Sequence, residues 1–160
     1  MILLTIGTTE SFDRLVEAMD IITPRLDNTP VIAQISETAY LIRNMSTVGF
    51  LSPSEYYRLF NSASLIISHA GMGTIISALM WKKPIIVMPR RSSLGEANSD
   101  HQYATAKRLA ELNYIRVAHD QEQLMKLIKL TLNDKFLDPI SIGSFASDRL
   151  INSLKKFINE

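Results

Sequence analysis

Two hydrophobic rhythms alternate along the chain. Short, mostly apolar runs at residues 2–6, 31–35, 65–68 and 85–88 read as buried strands, and residues 47–50 and 114–117 read as shorter ones. Between them the apolar positions switch to helical spacing, as in Phe12, Leu15, Val16, Met19 and Ile22. Ser52-Pro53-Ser54-Glu55 has the form of a helix start, with Ser as cap, Pro in the first helical position and Glu closing a capping box. That helix continues through Tyr56, Tyr57 and Phe60. Further helices are predicted from the break at residues 69–74 to about Trp81, over about 100–112, and from a cap at Asp120 to about Leu132. Asn28-Thr29-Pro30 marks a turn, Pro84 and Pro89 bracket one strand, and a polar loop runs over 90–99. After a loop with Pro139 and Gly143, a last helix over about 147–158 places Leu150, Ile151, Leu154, Phe157 and Ile158 on one face. That face is expected to pack on its own domain; the alternative is a partner-binding helix.

Strands alternating with helices predict an α/β fold, a Rossmann-like parallel sheet with helices on both faces. Such sheets carry ligands beyond the carboxyl ends of their strands. Gly7, His69, Gly71 and Pro89 each follow such an end, so their loops are expected to converge on one edge.

The 160 residues suit one domain, 1–160. Lys plus Arg number 17 and Asp plus Glu 16, a net charge of +1 that gives no reason to expect nucleic acid. Cysteine is absent, which excludes disulfides, thiolate metal sites and a Cys nucleophile. The apolar start reads as a buried strand and not as a signal peptide. No apolar run reaches the length of about 18 residues needed to span a bilayer. A mean hydropathy of +0.07 favours a buried partner interface.

The sharpest local feature is Ser68-His69-Ala70-Gly71-Met72-Gly73-Thr74, a strand-to-helix turn with two glycines and a hydroxyl. Glycines admit close backbone approach, and the following helix offers free N–H groups and the positive end of its dipole, which suits a diphosphate. The bland alternative is a glycine turn that only lets helix pack on strand. Gly71-x-Gly73 also begins a dinucleotide-binding pattern, but Ile76 occupies the third glycine position and no acidic residue follows the next strand. Arg90 and Arg91 would be the groups to meet a 2′-phosphate on an NADP reading. Gly7-Thr8-Thr9 is a second candidate for phosphate or acceptor contact; otherwise it is a turn with Thr or Ser capping the helix at Phe12. Gly95-Glu96 with Asp100-His101-Gln102 would suit sugar hydroxyls; otherwise Asp100 is a helix cap and Glu96 a solvated charge. His69, His101 and His119 make no metal pattern. The methionines are assigned to packing.

These pieces together resemble the carboxy-terminal domain of family twenty-eight glycosyltransferases. The resemblance rests on Ile66-Ile67-Ser68-His69-Ala70-Gly71-x-Gly73-Thr74, Ala78-Leu79, Lys83-Pro84-Ile85-Ile86-Val87-x-Pro89 and Asp100-His101-Gln102, with Ile6-Gly7-Thr8-Thr9 at the start. It spans nearly the whole chain. Two branches of the family are free-standing: the eukaryotic Alg13-like subunits and the PssE-like subunits of bacterial exopolysaccharide synthesis. Met88-Pro89-Arg90 with Gly95-Glu96 looks more like the bacterial branch.

The resemblance implies one half of a GT-B glycosyltransferase and inverting transfer from a UDP-sugar to a lipid-linked or polysaccharide-precursor acceptor. It implies no cofactor and no metal, and a membrane-associated, acceptor-binding partner subunit, PssD-like or Alg14-like. The chain would then be cytoplasmic and recruited to the inner face of the membrane, and inactive without its partner. The nucleotide-sugar site it implies comprises Gly7, Thr8, His69, Gly71, Gly73, Thr74, Ser77, Arg90, Glu96, Asp100, His101 and Gln102, with the catalytic base unassigned. Ser77 stands where many relatives hold the ribose with a carboxylate, and Ala97 where the bacterial branch often has His. An alternative reading is a non-catalytic subunit that stabilises or enhances a membrane-associated transferase.

Overall fold

The computed structural model describes residues 1–8, 10–133, 141, 142, 152 and 156. Thr9, the loop residues Pro139 and Gly143, and the final helix expected over 147–158 (apart from Asn152 and Lys156) lie outside the described residues.

Among the described residues, six strands form the sheet: β1 (Ile2–Thr5), β2 (Val31–Gln34), β3 (Ser46–Val48), β4 (Leu65–His69), β5 (Ile85–Met88) and β6 (Arg116–Val117). Their order is β3-β2-β1-β4-β5-β6 and every pairing is parallel. Among the described residues, α1 (Asp13–Ile22), α2 (Pro53–Ser62), α3 (Met72–Met80) and α4 (His101–Glu111) lie between strands, and α5 (Gln121–Leu132) follows β6. The order reverses between β1 and β4, so the switch point lies where Gly7 and Gly71 leave their strands.

Strand alternation sends side chains to two cores. Ile2, Leu4, Leu65, Ile67, Ile86 and Met88 pack with α1 and α5, through Leu15, Met19, Leu124 and Ile128. Leu3, Ile66, Ile85 and Val87 pack on the other face with Phe60, Ile75, Ala78 and Ala106 of α2, α3 and α4. Both faces are covered, which is why the central strands read as continuous apolar runs and not as alternating ones.

The capping box at Ser52 and Glu55 forms as the spacing predicts, and Asp120 accepts from the amide of Gln123 to cap α5. Other expectations shift. β3 covers Ser46–Val48, because its partner β2 ends at Gln34 opposite Val48; Phe50 lies beyond, 84% exposed. Asp100 precedes α4 without capping it: its carboxylate accepts from the amide and hydroxyl of Ser92, at 2.9 and 2.8 Å. That bond folds the start of the polar loop into a 3₁₀ turn, Ser92–Leu94. Among the described residues, no Thr or Ser side chain caps α1, whose cap position is Phe12. Met19 and Met88 are core residues, but Met72 and Met80 are exposed with Ile76 between them on the outer side of α3. No helix among the described residues is long and apolar enough to cross a membrane.

Candidate functional site

Three strands that meet at the switch point end alike: Ile-Leu-Leu-Thr5, Val-Ile-Ala-Gln34 and Leu-Ile-Ile-Ser68, the last followed by His69. In register, Thr5 faces Gln34 on one side and Ser68 on the other. Gln34, Thr5 and Ser68 therefore form a polar row across the carboxyl edge, on the face that carries α2 and α3. They are 4%, 2% and 0% exposed. Burying such groups is unfavourable without partners. Thr5 donates its hydroxyl to Gln34 Oε1 at 2.7 Å, and Ser68 Oγ lies 3.3 Å from His69 Nδ1.

Above this row lies a cleft of about 400 Å³ between α2 and α3. Thr5, Gly7, Thr8, Gln34, Phe50, Leu51, Pro53, Tyr56, Gly73, Thr74 and Ser77 line it, and none of these is charged. Burial pushes the Tyr56 phenol above its ordinary value, against the opposing pull of the Thr74 and Thr5 hydroxyls nearby. Ser77 donates to the carbonyl of Gly73 at 2.9 Å.

The two glycines of the α3 turn have different causes. A Cβ on Gly71 would overlap Nε2 of His69, so the protein's own packing demands glycine there. A Cβ on Gly73 would meet nothing within 4 Å. Gly7 has φ +86°, and its Cβ would come to 3.1 Å from His69 Cε1. His69 is thus wedged between the two crossover loops. Its imidazole is pushed down to about 4, first by burial and then by the charge of Arg90, against a hydrogen bond to the Thr5 backbone, so the ring is neutral at physiological pH. Among the described residues, no side chain caps α3, in contrast to α2 and α5. The first-turn amides of Met72, Gly73 and Thr74 have no helical partner, and the last two of these residues border the cleft.

A second cavity, of about 490 Å³, opens between the loops after β1 and β5, lined by residues 10–14 and 94–98. Here Glu96 grips Arg14 with both oxygens, at 2.6 and 2.8 Å, and accepts from the Arg91 amide at 2.9 Å. Burial raises the Glu96 carboxyl, but these bonds and the two arginine charges together hold it below its ordinary value. Arg14 also donates to the carbonyls of Pro89 and His119. Arg90 is 3% exposed: it donates to the carbonyls of Ile6, Glu10 and Ser11, pairs with Glu10 at 3.3 Å and lies over the Phe12 ring. Gln102 accepts from the Arg90 amide at 3.3 Å.

Of the residues singled out in the sequence, the structure brings Gly7, Thr8, Gly73, Thr74 and Ser77 into one cleft, with His69 and Gly71 packed behind it. Glu96 borders the other cavity. Arg90 is internal, and Asp100, His101 and Gln102 stand at the start of α4, with Asp100 bound to Ser92 and Gln102 to Arg90. Sequence reasoning overlooked Thr5, Gln34, Phe50, Leu51 and Tyr56 in the cleft. A signal for two of them was present: runs of three apolar residues that end in a polar one at the carboxyl edge. Among the described residues, no group of three or more His, Asp or Glu is placed to hold a metal ion.

Residues 1–139 match the glycosyltransferase family 28 C-terminal domain, and the chain belongs to that family. Over 78 residues it is 32% identical to the UDP-N-acetylglucosamine transferase subunit ALG13 of Eremothecium gossypii, a match covering 48% of this chain and 36% of that protein. The chain thus matches about a third of the length of this curated relative. Among solved structures, the NMR structure of ALG13 superposes with a TM-score of 0.59 at 20% identity, over 96% of this chain and 93% of that one. A putative UDP-N-acetylglucosamine 2-epimerase from Listeria monocytogenes gives 0.67 at 14% identity, over 98% of this chain and 44% of that one. At these identities the two structures speak for the fold alone, the Rossmann-like α/β half of GT-B enzymes.

Proposed function

We propose that this chain is the donor-binding subunit of a two-component inverting glycosyltransferase, holding a UDP-sugar in the α2–α3 cleft. The observation that carries the reading is Gly73. It lacks a side chain for no reason of internal packing, at an uncapped helix terminus beside the switch point. A bound diphosphate supplies the reason, because its oxygens need the backbone amides at close range. The nucleoside would then extend between Tyr56, Phe50 and Leu51. The acceptor hydroxyl would attack the anomeric carbon, the bond from that carbon to the diphosphate oxygen would break, and the α3 amides would stabilise the departing charge. A base on a membrane-associated partner would take the acceptor's proton. The neutral His69 would serve as a hydrogen-bonding group rather than as a cation.

One observation favours a second reading. Ser77 spends its hydroxyl on Gly73, so it offers the ribose neither a carboxylate nor a free donor. On that reading the chain stabilises a partner that carries its own donor site.

Calorimetric titration with UDP, UDP-sugars, GDP-mannose and NADP tests both. Saturable binding of UDP compounds that Thr74→Ala weakens is the expected result. If the chain co-expressed with its partner binds UDP-sugar equally well with and without Gly73→Val, the second reading replaces the first.

A further inference from the structure

Gln34 has a side chain that is almost fully buried yet only half satisfied. Its Oε1 accepts from the Thr5 hydroxyl at 2.7 Å, which leaves the NH2 on the other side of the carboxamide. Its Nε2 has no acceptor among the described residues. Among the described residues, Arg90 Nε and His119 Nδ1 are the side-chain polar atoms that are both sealed from solvent and unpartnered. Gln34 Nε2 is not one of them, so it opens onto the cleft that Gln34 lines. An amide donor that opens onto a cleft without a protein acceptor is left to water or to a ligand that displaces it. The neighbouring Thr5 is placed by strand register to hold it there.

We infer that Gln34 contacts the ligand directly, its NH2 donating to an oxygen acceptor on the nucleoside of the bound nucleotide, with Thr5 as the residue that orients it. The inference rests on the nucleotide-sugar reading and adds to it. With no charged residue among the described lining of the cleft and Ser77 bound to Gly73, the nucleoside is selected through uncharged hydrogen bonds. The acceptor is a pyrimidine carbonyl or a ribose oxygen, which share this chemistry.

Titration of the chain and its Gln34→Met variant with UDP, 2′-deoxyUDP and inorganic pyrophosphate tests it. Methionine keeps the side chain's length and removes the donor. UDP is expected to bind about tenfold more weakly to the variant, as for one lost hydrogen bond at a desolvated site, with pyrophosphate affinity unchanged. A penalty that disappears with 2′-deoxyUDP assigns the contact to the ribose 2′-hydroxyl; one that persists assigns it to another oxygen of the nucleoside. Thr5→Val, a variant that leaves Gln34 in place, is expected to weaken UDP severalfold in the native background and to add nothing in the Gln34→Met background. Equal UDP affinity in native and Gln34→Met chains overturns the inference and leaves the donor-site reading intact. Equal losses for UDP and pyrophosphate overturn it as well, since the residue then serves the phosphates or the fold. A native chain that binds pyrophosphate but no UDP removes both readings.

Discussion

The two cavities on the carboxyl edge of the sheet are built in opposite ways. Between the loops after β1 and β5, Arg14, Glu96 and the terminal nitrogens of Arg90 are answered from within the chain, by carboxylate, carbonyl and backbone amide, while Arg90 Nε is sealed without a partner. In the α2–α3 cleft none of the described lining residues is charged, while the α3 amides and the Gln34 nitrogen are left open. The contrast separates two uses of polarity. Groups that saturate one another hold loops in place, whereas groups left unsaturated beside a cavity are available to a ligand. Charged residues draw attention in a sequence, and here they are the ones most fully engaged in holding the structure together.

Arg90 gives the strongest way to break this comparison. Arg90→Leu is expected to lower the free energy of unfolding by roughly 3 kcal/mol in urea titration, because the carbonyls of Ile6, Glu10 and Ser11 lose a buried donor together. A loss under about 1 kcal/mol would mean that the guanidinium is not needed by the loops, and the saturated cavity would then be a ligand site after all.

The paired glycines sharpen the same contrast. Gly71→Ala must displace His69 and is expected to lose about 2 kcal/mol of stability. Gly73→Ala enters open space at the start of α3, so its stability should hold or rise by less than about 1 kcal/mol. Its affinity for UDP should nonetheless fall by about tenfold, as for one lost backbone contact of about 1.4 kcal/mol. Native-like binding by Gly73→Ala would show that no ligand approaches the backbone there.

The smallest expected effect is that of Glu96→Gln, about 1 kcal/mol at neutral pH for an ion pair near the surface. The folded carboxyl is held below its ordinary value, so on acidification the unfolded chain takes up the proton first. Stability from this group is therefore full above the ordinary carboxylate range and is lost as pH falls from that range through the lower folded value. Denaturation midpoints of the native and variant chains should differ at pH 7 and converge in acid. A gap independent of pH would show that the carboxylate charge contributes nothing.

Most of the fold was legible because the apolar runs were long enough to be buried on both faces and the breaks carried distinctive residues. The capping box at Ser52 and the cap at Asp120 were read correctly because each is a local bond between side chain and nearby amide. Asp100 has the same residue type in the same kind of place, and its carboxylate instead went to Ser92, eight positions back. Spacing along a helix cannot reveal that competition. The cleft was legible where glycines marked it and invisible at Gln34, Tyr56 and Phe50, which the register of separate strands and the packing of α2 bring together. The inward turn of Arg90 was likewise hidden, since its acceptors are main-chain carbonyls some 80 residues away.

The polar row also sets how the chain tolerates change in length. Gln34, Thr5 and Ser68 share a face only because three separate strands run parallel with their ends in step. Exchanging any one of them alters a single contact. Deleting one residue inside β1 would do more: with a period of two, it would turn Leu4 toward the cleft and Thr5 into the opposite core. Insertions and deletions between these strands should therefore be confined to the loops, while the three strand lengths stay locked to one another.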